Sequence, residues 1–246
     1  MAVRLTRAGN RAVGLAMMML VSAVIGTVVV AAARSPAKPV TPTPAAEAPA
    51  AVVPSPTPLP TKYVVLTFDD GPDAEYTPKV LDILAKYDAK ATFFEVGQNV
   101  RKHPELTKRI HEAGHSVQNH TWDHSDLRKL TAARFQQEVA STDQAIRAEI
   151  GSTPGCLRPP YGGVSATVRQ RARQLHKDLV VWTVDSRDWT KPGTAAIVQR
   201  VLKNVHSGSV VLMHDGGGNR AQTVAALPAI LTALKAQGYG FRTLTC

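Results

Sequence analysis

Cysteine is scarce in this chain of 246 residues, which contains only Cys156 and Cys246. Neither belongs to a Cys-x-x-Cys pair, and this excludes a zinc cage or a dithiol redox motif built on such pairs. In an exported protein the two cysteines are expected to form one disulfide between the C-terminus and the loop before Arg158. A free, reactive thiol is the alternative, since sequence does not show whether the two sulfurs lie close together.

Nucleotide-binding and nucleic-acid-binding signatures are also missing. No Gly-x-Gly-x-x-Gly follows the first apolar run of the folded part, and the chain has no P-loop. The formal net charge is +10, but residues 1–60 carry five basic side chains and one acidic side chain, which leaves +6 for residues 61–246. Because that remainder has no Lys/Arg block longer than two residues, we expect no nucleic-acid partner.

The N-terminus has the pattern of an export signal. Arg4, Arg7 and Arg11 precede a charge-free apolar stretch, residues 12–33, which ends in three alanines. A positive start, an apolar stretch and small residues are typical of a cleaved signal peptide. The stretch also approaches the length that spans a bilayer, so an uncleaved signal anchor is the alternative. Both interpretations of residues 1–33 place the rest of the chain outside the cytoplasm.

A linker is predicted between this segment and the folded part. Residues 34–60 contain nine prolines among Ala, Thr and Ser, a composition that favours extended chain and cannot build a packed core. We therefore expect residues 34–60 to hold a folded domain, residues 61–246, away from the membrane or the export site. Nothing in the sequence demands an oligomer, and a monomer is expected.

Short apolar runs alternate with helical patterns through residues 61–246. The predicted strands are Tyr63–Phe68, Ala91–Val96, Ser116–Asn119, a short one at Leu157, Leu179–Val184, Val210–Met213 and Phe241–Leu244. The predicted helices are Pro78–Tyr87, Glu105–Ala113, Ala132–Ile150, Ser165–Leu175, Thr194–Val205 and Ala221–Gln237. Repeated strand–helix units with short connections predict parallel strands covered by helices, in an open sheet or a barrel.

Polar side chains with chemical potential follow the ends of these predicted strands. They are Asp69-Asp70, His120, Arg158 to Tyr161, Asp185 to Trp189, and His214-Asp215. In parallel α/β folds the loops at the carboxyl edge of the sheet converge into an active site. Structural residues would have no reason to collect at that edge, so the pattern predicts an enzyme.

Two of these groups have the residue types of a metal site. Asp69 and Asp70 are neighbouring carboxylates that repel each other unless a positive charge lies beside them, although Asp-Asp-Gly-Pro is also a common turn sequence. His120 and His124 are four residues apart, which places them on one face if the segment is a helical turn. His111 and His115 have the same spacing, but they straddle Gly114 at a predicted helix end, where solvent exposure is expected.

One aspartate and two histidines leave a fourth coordination position open, as in catalytic zinc sites. The second carboxylate of the Asp pair could act as a general base, and His214 is a candidate general acid. Backbone N–H groups near Tyr161 are candidate donors to an oxyanion.

Five segments in this order resemble the polysaccharide deacetylase family, carbohydrate esterase family 4, which is built on the NodB homology domain. Thr67–Pro72 matches its TFDDGP motif, His120–His124 its H(S/T)xxH motif, and Arg158–Tyr161 its RxPY motif. Asp185–Trp189 matches DxxDW and Leu212–His214 matches LxH, so the resemblance spans residues 63 to about 245.

The resemblance implies an α/β fold, a distorted (β/α) barrel of the NodB type, with a groove that admits a sugar chain. It implies that Asp70, His120 and His124 bind one divalent metal ion, Zn²⁺ in most members, with Co²⁺ or another divalent ion as alternatives. It also implies roles for the neighbouring residues: Asp69 as the base, His214 as the acid, Arg158 holding Asp69, Asp188 tuning His214, and the Tyr161 N–H stabilising the oxyanion. Trp182, Trp189 and Leu212 are expected to be groove walls or plain core.

The expected activity is removal of acetyl groups from an extracellular polysaccharide. N-deacetylation of N-acetylglucosamine units in chitin oligomers or peptidoglycan is the leading hypothesis. O-deacetylation of acetylated xylan is the alternative within the family, and a wall-binding module that has lost catalysis is the alternative outside enzymes.

Overall fold

The structure, a computed structural model, describes residues 62–246. The predicted signal or anchor of residues 1–33 and the linker of residues 34–60 lie outside the described residues and stay predictions. The strands are β1 Tyr63–Asp69, β2 Ala91–Glu95, β3 Ser116–Asn119, β4 Cys156–Leu157, β5 Asp178–Leu179, β6 Val184–Asp185, β7 Ser209–His214 and β8 Gly240–Phe241. The helices are α1 Tyr76–Lys86, α2 Gly97–Lys102, α3 Pro104–Glu112, α4 Ala132–Ile150, α5 Ala166–Gln174, α6 Thr194–Asn204 and α7 Ala221–Ala236, with 3₁₀ turns at Leu127–Lys129, Pro160–Gly162 and Asp188–Thr190.

All ladders of the sheet are parallel, and the strand order is β5-β4-β3-β2-β1-β7-β6, with β8 also paired to β1. This is the sequential order of a closed (β/α) barrel cut open between β5 and β6. No ladder joins those two strands within residues 62–246. The expected distorted (β/α) barrel is confirmed, and its distortion is this gap.

The gap corrects one predicted strand. Residues Leu179–Val184 were expected to form a single strand, but they divide into the ends of β5 and β6. The N–H of Val180 donates to Leu157 in β4, whereas the N–H of Thr183 donates to Val210 in β7. The run therefore crosses from one end of the sheet to the other, and its middle residues belong to neither strand.

The centre of the fold is β1, which is buried from Val64 to Asp69. A central strand of a parallel sheet is covered on both faces, so its sequence is a nearly continuous apolar run. The main core joins Leu66 and Phe68 of β1 to Phe93 of β2, Met213 of β7 and the buried faces of the surrounding helices. The strand ends on Asp69, which lies opposite Phe94 and His214 in the ladders, so the carboxyl edge of the sheet carries polar residues directly above this core.

Helix α4 shows why one predicted helix has the expected bounds. The Thr131 side chain accepts a hydrogen bond from the Arg134 N–H at 3.3 Å, and Gly151 ends the helix with φ of 76°. These are the usual N-terminal and C-terminal caps of a helix. Helix α2, by contrast, was not predicted, because its six residues are too few to show a clear apolar period.

Among the helices of residues 62–246, none is both long and apolar enough to cross a bilayer.

Cys156 and Cys246 are joined by a disulfide, with their Cα atoms 5.5 Å apart. The bond ties the C-terminus to β4, and it decides between the two alternatives that the sequence left open. Because the cysteines are 90 residues apart, the bond removes much of the freedom of the unfolded chain.

Replacing Cys246 with serine is expected to lower the free energy of unfolding by about 2–4 kcal/mol. Urea denaturation followed by tryptophan fluorescence measures this change. Reductant supplies the matched control: it should bring the wild-type protein down to the stability of the variant and leave the variant unaffected. A wild-type protein that is indifferent to reductant would show that the bond does not contribute.

His115 corrects a second prediction, since it is buried rather than exposed to solvent. Its Nδ1 accepts a hydrogen bond from the Ala91 N–H at 3.2 Å, and its ring packs against Phe93 with centroids 5.5 Å apart. Burial, together with the nearby charge of Lys90, lowers the pKa of His115 to about 4. His111, the other member of the pair, is exposed as expected.

Stability is therefore expected to fall in mild acid. The unfolded chain binds a proton at His115 near pH 6.5, whereas the folded chain resists it down to about pH 4. Stability is thus fully present above pH 6.5 and is lost as the pH falls towards 4, by about 3 kcal/mol for this one group. Urea denaturation at several pH values should show that His115→Gln flattens this slope, whereas His111→Gln should leave it unchanged.

Candidate active site

A cavity of about 430 Å³ opens at the carboxyl edge of the sheet. Most of its lining comes from the ends of β1, β6 and β7 and from the loops after β1, β3, β4, β5, β6 and β7: Asp69, Asp70, His120, His124, Pro159, Tyr161, Trp182, Asp185, Trp189, Leu212, His214 and Arg220. Six of the eight predicted site residues thus share one cavity. The other two, Arg158 and Asp188, are buried behind it.

Asp70, His120 and His124 offer ligand atoms that all lie within 4.8 Å of one another. The Oδ1 atom of Asp70 is 3.5 Å from His120 Nε2 and 3.3 Å from His124 Nε2. This oxygen is buried, and no residue in the described part of the chain donates a hydrogen bond to it. A buried carboxylate oxygen without a donor, beside two imidazole nitrogens, fits a divalent cation, and one oxygen with two nitrogens suits zinc.

His120 is oriented towards that point by the backbone. Its Nδ1 lies 2.7 Å from the carbonyl oxygen of Arg158, a contact in which Nδ1 carries the proton. Nε2 is then the unprotonated nitrogen and faces the carboxylates, as a metal ligand requires.

The histidine pair lies on a loop, which corrects the expected helical turn. Thr121 and His124 have φ values of 68° and 63°, so the segment between the histidines is not helical. The two imidazole rings nevertheless approach to 5.0 Å between centroids. The spacing of four residues was informative, but the geometry it suggested was wrong.

The charges around Asp70 favour its ionised form. Burial alone would raise the pKa of Asp70, but the neighbouring rings of His120, His214 and His124 outweigh it and hold the pKa below the usual range of a carboxyl group.

Asp69 is held by Arg158, as the resemblance implied. The Nη1 atom of Arg158 donates to Asp69 Oδ1 at 2.6 Å and to the Thr67 hydroxyl at 2.7 Å. The guanidinium is completely buried and lies 4.0 Å from the centroid of the Phe94 ring. The second oxygen of Asp69, Oδ2, is 3.7 Å from His120 Nε2. Asp69 therefore presents one fixed oxygen to the point at which the three ligand atoms converge.

His214 forms a hydrogen-bonded unit with Asp188 on the other side of the cavity. Its Nδ1 is 2.7 Å from Asp188 Oδ1, while its backbone N–H and the Thr223 hydroxyl both donate to Asp188 Oδ2 at 2.8 Å. Burial would lower the pKa of His214, but Asp188, with smaller contributions from Asp69 and Asp70, raises it above the usual value. With Nδ1 engaged, Nε2 is the nitrogen left for the cavity, and the raised pKa favours a ring that carries a proton.

Tyr161 lies at the rim with a left-handed backbone, φ 60°, and its ring meets the His124 ring edge-on at 4.7 Å between centroids. Its side chain is 68% exposed and that of Trp189 is 52% exposed. Leu212 is buried beneath the cavity, and Trp182 is partly buried beside Arg158. Because all four line the cavity, the groove-wall interpretation of Trp182, Trp189 and Leu212 is favoured over plain core.

The loop after β7 contributes residues to which the sequence gave no role. Arg220 is buried, and its Nη2 lies 3.8 Å from Asp70 Oδ2. Gly217, with φ of 69°, lies so close that a Cβ atom there would be 2.4 Å from the same oxygen. Asp215 lies behind the cavity and accepts a hydrogen bond from the Thr77 hydroxyl at 2.5 Å. The three consecutive glycines of residues 216–218 were the available signal, since such runs mark close approach of the backbone to another group.

The amino-acid sequence was compared with known protein families and proteins. The sequence profile described as polysaccharide deacetylase matches residues 57–180. A peptidoglycan-N-acetylglucosamine deacetylase of Bacillus cereus is 41% identical over 186 residues, which cover 75% of this chain and 87% of that protein.

The chain belongs to the polysaccharide deacetylase family.

Two further proteins, one known from its sequence and one from a solved structure, are similar to this chain. A chitooligosaccharide deacetylase of Rhizobium leguminosarum bv. trifolii is 37% identical over 194 residues, covering 74% of this chain and 90% of that protein. A solved family 4 carbohydrate esterase from Streptomyces lividans, in complex with acetate, is 38% identical. It superposes with a TM-score of 0.71 over 76% of this chain and 94% of that one.

Proposed function

We propose that this chain removes the acetyl group from N-acetylglucosamine units of peptidoglycan or of chitin oligomers. The observation that carries the proposal is the arrangement of one cavity. In it, a carboxylate fixed by Arg158 and a histidine fixed by Asp188 flank the point where Asp70, His120 and His124 converge. Membership of the deacetylase family supports the reaction class, and the names of the similar proteins support an acetylated glucosamine polymer as substrate.

We assign the metal site to Asp70, His120 and His124, with Zn²⁺ as the proposed ion. When bound there, the ion would polarise the acetyl carbonyl and lower the pKa of a water molecule. The support is the donor set of one oxygen and two nitrogens, together with the buried oxygen of Asp70 that accepts no hydrogen bond from the described residues.

The remaining residues move protons and orient groups. Asp69 takes the proton of the attacking water through the oxygen that Arg158 leaves free, and Arg158 prevents the carboxylate from turning away. His214 donates a proton from Nε2 to the amine that leaves, and Asp188 stabilises the charged ring before the transfer. The backbone N–H of Tyr161, at the rim of the same cavity, is the proposed donor to the oxyanion.

Ester hydrolysis is a second candidate on the same apparatus. The likeness to a carbohydrate esterase solved with acetate favours it, because the proton path through Asp69 and His214 serves an alcohol leaving group as well as an amine. A module without catalysis is disfavoured because the proposed ligands, base and acid share one cavity, with Arg158 and Asp188 buried beside them.

We also propose that the protein acts outside the cytoplasm. The support is the signal-like sequence of residues 1–33 and the disulfide between Cys156 and Cys246, a bond typical of oxidising compartments. The monomeric state stays a prediction.

Acetate release by the purified full-length chain tests the proposal. The substrates are peptidoglycan, chitin oligomers and acetylated xylan, each with zinc and after chelation. Metal-dependent release from either of the first two is expected. Release from xylan alone would replace the amide assignment by the ester one. Absence of release from all three by a folded, metal-loaded protein would contradict the proposed function.

A further inference from the structure

The segment that carries the two histidine ligands, residues 120–124, is here called the histidine loop. Its backbone is not helical, yet four of its N–H groups donate hydrogen bonds to described residues. The N–H of His120 donates to the Glu95 carbonyl at 2.9 Å, and the N–H of Thr121 donates to the Asn119 side chain at 2.8 Å. Since Thr121 and His124 have positive φ values, a conformation that non-glycine residues seldom adopt, contacts from outside the loop must maintain its shape.

Glu138, on helix α4, supplies the contacts at the middle of the histidine loop. Its Oε2 accepts hydrogen bonds from the N–H groups of Trp122 and Asp123, at 2.9 and 3.1 Å. These are two of the three residues between the ligands, so one oxygen fixes the backbone from which both imidazoles project. Glu138 is completely buried, and its other oxygen, Oε1, lies 2.8 Å from Arg134 Nη2.

Helix α2 holds the opposite side of the loop. The N–H groups of Gly97 and Gln98 donate to the carbonyls of Thr121 and Trp122, both at 3.0 Å. The Trp122 ring lies so close to Gly97 that a Cβ atom there would be 2.5 Å from it. The loop thus sits between the first turn of α2 and a single acidic side chain of α4, and Glu138 is the only charged group of the described residues that accepts its N–H hydrogen bonds.

We propose that Glu138 is a positioning residue for the metal site: it holds the histidine loop in the shape that brings His120 Nε2 and His124 Nε2 to Asp70. The inference rests on the proposed function, and nothing in the sequence motifs assigns this residue a role. Without its oxygen, two N–H groups would lose their acceptor, a cost of about 1–3 kcal/mol each when buried. Relaxation of the loop would relieve that cost and move His124 away from the ligand position.

The affinity of the full-length chain for Zn²⁺, measured by competition with a chromophoric chelator, tests this role without reference to activity. Glu138→Leu keeps the bulk of the side chain but removes the acceptor, and is expected to weaken binding by about 10–100-fold, the range seen when groups that orient metal ligands are lost. Glu138→Gln restores an acceptor oxygen at the same position and should stay within about threefold of wild type.

Ile146→Ala is the matched control, because Ile146 is a completely buried residue of the same helix that belongs to the core and has no hydrogen bond to the loop. It should lower the free energy of unfolding while leaving the affinity for Zn²⁺ unchanged. If Glu138→Leu does not fold, Glu138→Asp replaces it: the charge remains but the oxygen is withdrawn by one methylene, so Zn²⁺ binding should still weaken.

The outcomes separate this inference from the proposed function. Wild-type affinity in folded Glu138→Leu or Glu138→Asp would overturn the positioning role, as would an equal loss of affinity in Ile146→Ala. A loss in Glu138→Gln as large as in Glu138→Leu would also overturn it, since the acceptor oxygen would then not be what matters. Failure of the wild-type chain to bind Zn²⁺ at all would instead contradict the metal site itself.

Discussion

Asp69→Asn is expected to lower kcat by about 10²–10⁴-fold, the range that a general base contributes, while the affinities for metal and for the sugar chain stay close to wild type. The amide has the size of the carboxylate, and its oxygen can still accept the hydrogen bond that Arg158 donates at 2.6 Å. What it cannot do is take up a proton. The change therefore removes the chemical role of Asp69 and leaves its position intact.

Steady-state kinetics of acetate release on chitin oligomers measures this effect, with the metal content of each preparation determined beside it. Asp82→Asn is the matched control, because Asp82 is an exposed carboxylate that pairs with Arg109 and does not line the cavity. It should behave as wild type. An unchanged kcat in Asp69→Asn would show that another group is the base, whereas a raised KM at constant kcat would reduce Asp69 to a binding role.

The sequence predicted the parts of the fold whose determinants are local. Helix α4 has its predicted bounds because Thr131 and Gly151 cap it. The four residues of β3, Ser-Val-Gln-Asn, alternate between partly buried and buried positions, and the glycine that follows the preceding helix marks where they begin. The division of residues 179–184 into two strand ends was not predictable from the same signals. A strand is recognised by its own residues, but whether it pairs with β4 or β7 depends on how the whole sheet curves.

The residues of the candidate site also fall into two groups, those that the sequence predicted and those that it did not. Asp69, Asp70, His120, His124 and His214 were found because each follows a predicted strand, and parallel strands bring such positions together. Glu138 and Arg220 were missed, since each acts through a contact that the chain makes only after folding: Glu138 from the middle of α4, and Arg220 from the loop after β7. A single acid in the middle of an amphipathic helix has no pattern that distinguishes it from its exposed neighbours.

For His115 the sequence predicted the wrong environment, since the residue was expected to be exposed and is buried. The pair His111–His115 had the same spacing as the ligand pair, and its place at a helix end suggested solvent. The ring is instead packed on Phe93 and accepts a hydrogen bond from the backbone of β2. Burial of a neutral histidine depends on the chain that covers it, and the covering element, the start of β2, lies 24 residues away along the sequence.

His120→Ala is expected to lose the metal. His120 supplies one of three ligand atoms, and its Nε2 lies 3.7 Å from Asp69 Oδ2 and 3.5 Å from Asp70 Oδ1. His120 is buried, and its Nδ1 forms a hydrogen bond with the Arg158 carbonyl. No other side chain can therefore take its position without a movement of the backbone. Loss of a direct ligand should weaken binding beyond the 10–100-fold, roughly, that follows the loss of a group behind a ligand.

The zinc-to-protein ratio after dialysis, measured by emission spectroscopy, checks this expectation. Wild type should retain about one ion per chain and His120→Ala almost none. His111→Ala is the matched control, since His111 is an exposed histidine with the same four-residue spacing to a second histidine. It should retain the full ratio. Full occupancy in His120→Ala would show that Asp70, His120 and His124 are not the ligand set. A loss in both variants would instead mean that the loss is not specific to the ligands of the cavity, and the buried oxygen of Asp70 would then need a different account.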